Sequence, residues 1–261
     1  MDVAEFVEAL DLEGRSLAAA AAEAGPDAVV ATCPDWQVRD LLRHTGMVHR
    51  WARTFVTEGH SAYRQDGGLP ALDGAELLAW FRDGHRRLVA SLASAPRDVE
   101  CWSFLPAPSP LAFWARRQAH ETAVHRFDAQ SALSGTPGTV SADFAVDGID
   151  ELLRGFHGRS RSKVRTRTPR VLRVRATDVD ATWTVRLSPE PPVSEREPAR
   201  GPQRHDGNSN GNGNDVRVDC EVSGPAARLY LALWNRVPFP TVTGDESLTT
   251  LWRETSAITW S

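Results

Sequence analysis

The 261-residue chain has little that could staple it, anchor it or gather polyanions. It holds three cysteines, Cys33, Cys101 and Cys220, an odd and widely spaced set without a CxxC. That excludes a disulfide framework and suits a reducing cytoplasm. Lysine is almost missing: Lys163 is the one lysine among 30 basic residues, a bias that reads as GC-rich codon usage. Charge of one sign is also lacking. Asp and Glu number 34, so the net charge is −4, and no global cationic field exists to draw in nucleic acid or an anionic membrane. The longest nearly apolar run, LAAAAAEAG, falls far short of the roughly 20 residues of a membrane span. The start, MDVAEFVEALDLEGR, is acidic and amphipathic, unlike a secretory signal. These absences predict a soluble, cytoplasmic protein with no nucleic-acid or membrane partner.

What is present is enough for a real core: 41% hydrophobic residues, in a length that suits one large domain or two modest ones. The first half reads as four helices. Residues 2–24 carry Val3, Phe6, Val7, Leu10 and Leu17 and stop at Gly25-Pro26. Asp35 can cap a second helix running to about residue 57. Asp73 or Gly74 opens a third, which ends at Ala95-Pro96. A fourth covers about 111–133 and stops at Ser134-Gly135-Thr136-Pro137-Gly138. This pattern predicts a four-helix bundle over residues 1–135. The second half, 142–261, changes character. A helix over 142–157 precedes period-two runs at Val171/Leu172/Val174, Trp183/Val185/Leu187 and Val216/Val218/Cys220/Val222. Helices follow over 224–235 and around 246–256. The prediction is an α+β domain with a mostly antiparallel sheet. The stretch around 190–214, rich in Pro, Gly, Asn and charge, reads as a disordered loop within it.

Six of eight histidines lie in the first 130 residues. On the second helix, His44 shares the stripe of Leu41, Val48, Trp51 and Phe55 and so faces the bundle interior, whereas His49 points elsewhere. In RRQAHETAVHRFDAQ on the fourth helix, Glu121 and His125 are four apart and share a face, extended by Gln118 and Asp128. His120 is turned about 100° from Glu121. His44, Glu121 and His125 together would make a two-nitrogen, one-carboxylate site with open positions, as in catalytic zinc centres. Taken singly, each is also compatible with a hydrogen-bonded core histidine or a solvated helix face, and HETAVH is not the HExxH motif. A fourth ligand from Cys33, His49 or Gln118 would instead signal a closed, structural metal.

Two segments carry a family resemblance. TCPDWQVRDLLRHTGMVHRWA (32–52) and FWARRQAHETAVHRFDAQSALSG (113–135) resemble motifs of the mycothiol-dependent maleylpyruvate isomerase family, within the DinB-like superfamily of metal-binding four-helix bundles. Pro34, Trp36, Asp40, Leu41 and His44 match the first motif. Arg117, Glu121, His125 and Asp128 match the second. SGPAARLYLALWNRVP, with Thr243-Gly244-Asp245 behind it, is similar to the family's small sterol-carrier-like C-terminal domain. The resemblance implies a divalent metal, zinc first among candidates, on His44, Glu121 and His125, and mycothiol as the thiol. It also implies that the thiolate adds to an activated double bond, the adduct rotates, and elimination returns the trans isomer. Arg236, in LWNR, matches the arginine the family draws from its second domain to hold an anionic substrate.

The expected function is therefore metal-dependent and mycothiol-dependent catalysis on a small electrophile, by isomerisation or thiol transfer. Asp128 is expected to orient His125, and Trp36 and Asp40 to be structural. A non-enzymatic ligand- or partner-binding module with a structural metal is the rival reading. The nine bases and no acids between Arg154 and Arg175 suggest either phosphate contact or, preferably, a solvated strand–loop face.

Overall fold

A computed structural model describes residues 1–197 and 217–258. The chain divides into two compact units, Met1–Thr139 and Val140–Ser261. The first holds four helices: α1 (Val3–Ala24), α2 (Val38–Glu58), α3 (Gly74–Ser94) and α4 (Pro110–Ser131). Each begins on a sequence signal. Asp2 and Glu5 form a reciprocal capping box on α1, Asp73 caps α3, and Ser109 caps α4 with Pro110 behind it. The start of α2 differs from expectation. Asp35 does not cap it. Val30 N–H donates to Trp36 O and Val38 N–H to Ala28 O, which folds residues 28–38 back on themselves and leaves Asp35 in the turn. The helix starts at Val38 instead, and the Asp40 carboxylate accepts from the Gln37 N–H.

The helices pack α1 on α4, α2 on α3, α1 on α3 and α2 on α4. Helices α1 and α3 approach closely at Gly14, where a Cβ would lie 2.2 Å from the His85 ring. That ring is fixed there by its Nε2, which donates to Leu10 O at 3.0 Å. Helix α4 is the central element. It shows no single apolar face, and is buried on all sides from Leu111 to Ala129 but for Ala112 and Arg116. Its polar side chains are thus forced into the interior and must find partners there. Arg126 does so through Glu13 of α1 (2.6 Å) and Gln130 (2.8 Å).

The second unit begins with α5 (Ala142–Asp150), which passes into a π-helical stretch, Glu151–Phe156, where one uninterrupted α-helix was expected. Strands β1 (Arg170–Ala176), β2 (Thr182–Leu187), β3 (Val193–Arg196), β4 (Cys220–Gly224) and β5 (Thr241–Gly244) form one sheet in the order β3-β2-β1-β4-β5. Among the described residues, only β1 and β4 run parallel, with Leu172 beside Cys220 and Val174 beside Val222. The fold is α+β with a mostly antiparallel sheet, as the sequence predicts. Helices α6 (Ala226–Leu233) and α7 (Ser247–Thr255) complete it. Leu172, Val174, Trp183, Val185, Cys220 and Val222 are buried at alternate positions, the period-two signature. The stretch read as a disordered loop near 190–214 is corrected at its start, where Val193–Arg196 pair antiparallel with β2 as an edge strand. The remainder of that stretch lies outside the described residues.

The strand bases of the cationic run face acids. Arg175 pairs with Glu221 at 2.9 Å and Arg170 with Asp219 at 3.2 Å and with Asp245. Among the described residues, no helix is long and apolar enough to cross a membrane.

Buried His157 follows the π-helical stretch. Its Nδ1 bonds Ser162 Oγ at 3.2 Å, its Nε2 has no partner, and its ring packs edge-on against Trp252. Burial, with help from Arg159, pushes its pKa from 6.5 down to about 4. Below pH 6.5 the unfolded chain takes up a proton that the folded chain refuses until about pH 4. Its contribution is therefore present above pH 6.5 and lost as pH falls through that window, by up to about 3 kcal/mol. The stability difference between wild type and His157→Asn, read from denaturant titrations, should shrink as pH drops from 7 to 4. A difference independent of pH would refute this reading.

Candidate metal centre

Helices α2 and α4 bring three side chains to one point. His44 Nε2 lies 3.4 Å and His125 Nε2 3.2 Å from Glu121 Oε1. One donor atom from each residue lies within 4.8 Å of the others, and among the described residues no fourth His, Cys, Asp or Glu closes the group. Zinc bonds of 2.0–2.2 Å in a tetrahedron place neighbouring donors about 3.3 Å apart. Both separations on Glu121 Oε1 match that edge, so the donor set fits a divalent cation.

The surroundings hold each donor in a binding orientation. The His125 Nδ1–H donates to Asp128 Oδ2 at 2.9 Å, which turns Nε2 toward Glu121. Asp128 is fully buried and accepts from Thr32 Oγ1 at 2.6 Å. On the other side, Arg117 Nη2 donates to Glu121 Oε2 at 2.9 Å. One carboxylate oxygen is thereby committed to Arg117 and the other faces the two imidazoles. Trp36 covers the cluster, its ring stacked on His125 (6.2 Å between centroids) and tilted against His44 (5.1 Å). Glu121 and His125 are buried, while the His44 side chain keeps 20% exposure, so the cluster has an approach from solvent.

Electrostatics follow from this packing. Burial alone would raise the Glu121 pKa. Hydrogen bonds from His125 and His44, and the charges of His125 and Arg117, outweigh burial and hold the carboxyl well below its usual range. For His125, burial disfavours the charged ring, but Asp128 and Glu121 overcome it and lift the pKa to about 9. The site therefore favours positive charge between Glu121 and Asp128.

The other expected residues lie as follows. Arg236 belongs to the second unit, just past α6, where its Nη1 donates to Trp234 O at 2.9 Å. His120 stays off the cluster and packs edge-on against Phe6. His49 needs correcting in one respect: it does not join the cluster, but neither does it leave the interior. It is fully buried, with Nε2 2.9 Å from Thr122 Oγ1 and its ring beside Phe81 and His85. Burial, then the neighbouring His85, keeps its pKa well below 6.5. Cys33 is half-buried and not among the grouped donors. Trp36 is more than a bundle anchor, since it lines the imidazoles. The roles of Arg117 and Thr32 went unread, although Arg117 sits at the same i−4 spacing from Glu121 that paired Glu121 with His125.

A helical bundle with a two-histidine, one-carboxylate cluster, followed by an α+β unit, defines the class. Residues 7–130 match the family model described as mycothiol maleylpyruvate isomerase N-terminal domain, and residues 143–250 match the MDMPI C-terminal domain. The chain belongs to the mycothiol maleylpyruvate isomerase family. No curated protein and no solved structure matches it.

Elemental analysis of purified protein should find about one divalent ion per chain, lost in His44→Ala and His125→Ala. Asp128→Asn keeps the three donors but weakens the hold on the His125 ring, and should cut metal affinity about 10- to 100-fold. Full occupancy in both alanine variants would remove these residues as ligands.

Proposed function

We propose that this chain is a metal-dependent, mycothiol-dependent enzyme acting on a small electrophilic substrate, by maleylpyruvate isomerase-like cis–trans isomerisation or by thiol transfer. One observation carries the reading: the cluster offers three protein donors and an approach from solvent, where a structural zinc is normally closed by four protein ligands. Zinc is the first candidate for the ion, given two imidazoles and one carboxylate. A divalent ion there would favour the thiolate form of an incoming thiol, and the thiol would supply the nucleophile that splits one hard isomerisation into easier steps.

The chain's own residues do the positioning. Asp128 and Thr32 fix the His125 ring, Arg117 fixes the Glu121 carboxylate, and Trp36 limits access of water to both imidazoles. Arg236 is proposed to hold an anionic group of the substrate, since its guanidinium is always charged and can bind a carboxylate bidentately. The three cysteines, none in a disulfide, fit a reducing, cytoplasmic setting and are not needed as nucleophiles.

The test is turnover of maleylpyruvate and related small electrophiles with and without mycothiol. Activity should require both metal and thiol. Arg236→Ala should weaken selection of anionic substrates, seen as a raised KM, with metal content unchanged. Turnover indifferent to the thiol would move the chain to thiol-independent metal chemistry.

A further inference from the structure

On α2, the solvent side of His44 continues into an apolar strip. Met47 follows His44 by three residues and Trp51 follows Met47 by four, so the three side chains are neighbours on one helix face. His44, one of the grouped donors, keeps 20% side-chain exposure, and Met47 and Trp51 are half-buried. The strip therefore starts at the metal cluster and runs about 10 Å along the helix. It ends in a patch of touching rings. Trp51 meets Tyr63 (6.3 Å between centroids) and Trp102 (6.1 Å), and Trp102 meets Tyr63 (5.5 Å) and Phe104 (5.5 Å). Trp102 and Phe104 are half-buried, and Tyr63 is 60% exposed. Apolar side chains scattered singly on a surface need no explanation, but a contiguous run of them that begins at a donor does.

The polar groups beside the strip are already engaged. The Trp51 Nε1–H donates to Arg64 O at 2.6 Å. Two cations flank the strip on α2, and both reach backbone carbonyls, Arg43 at Leu72 O (2.8 Å) and Arg50 at Trp80 O (2.7 Å). What the strip offers a ligand is apolar area, with an adaptable thioether in its middle and ring faces at its end. We propose that the substrate of the metal cluster is an electrophile carrying an apolar ring or chain, and that this body lies on Met47 and Trp51 while the reactive end lies at the cluster. The proposal rests on the metal-dependent reading above and names the substrate class which that reading leaves open. A bare small diacid leaves the strip unused. Met47 and Trp51 are then specificity residues, separate from the three donors.

The test uses zinc-loaded protein, titrated by calorimetry with three hydroxamic acids that share one metal-binding head: acetohydroxamic, benzohydroxamic and cinnamohydroxamic acid. Wild type should bind the cinnamoyl compound about 10- to 100-fold more tightly than the acetyl one, from the apolar area removed from water. Met47→Asn makes the strip polar without adding a charge that would repel the head. It should lose most of that gain, bind acetohydroxamic acid as before and keep its zinc. Trp51→Leu should do the same, and it supplies the comparison should Met47→Asn fail to fold. Equal affinity across the series in wild type overturns the proposal and leaves the metal reading standing. So does a loss in the variants that is the same for all three compounds, or no loss at all. Failure of zinc-loaded wild type to bind any of the three overturns the open metal site and this proposal together.

Discussion

The buried charge of Glu121 is the constraint around which the helical unit is arranged. A carboxylate on the most enclosed helix of a bundle is tolerated only when its charge is met. Here one oxygen is met by Arg117 and the other by two imidazoles. The requirement spreads outward. His125 can serve only if its far nitrogen is held, so Asp128 is buried behind it, and Asp128 in turn draws Thr32 from the segment before α2. That segment carries Trp36, whose ring closes over both imidazoles. Two carboxylates, Glu121 and Asp128, flank His125 and favour positive charge there. The raised pKa of His125 expresses this as a proton, and a divalent cation would answer the same demand.

Much of this was legible in the sequence, and the exceptions share a cause. Periodicity, the stops at Gly25-Pro26 and Ala95-Pro96 and the start at Asp73 locate the helices because these are strong local signals. The spacing of Glu121 and His125, and the phase of His44, are enough to group the three donors. Phase fails for His49 because it assumes one buried face, whereas α2 packs against both α3 and α4 and has two. The cap of α2 was misplaced because the fold of residues 28–38 depends on backbone pairing between Val30 and Trp36, which no side-chain pattern announces. Strands β3 and β5 are four-residue edge strands with mostly exposed side chains, so no alternation marks them. The π-helical stretch Glu151–Phe156 keeps apolar spacing close to that of an α-helix, and the sequence gives no reason to separate the two.

The partners of Glu121 and His125 divide the helical unit's polar residues into two kinds. Arg117, Asp128, Thr32 and Glu13 each bond another side chain of the same unit. They fix the cluster whatever molecule comes to it, which is why motifs built on them report metal chemistry without naming a substrate. Gln118 is of the other kind, its Oε1 buried without a hydrogen-bond partner among the described residues. Substrate choice is then expected from residues outside that network rather than from the ligands themselves.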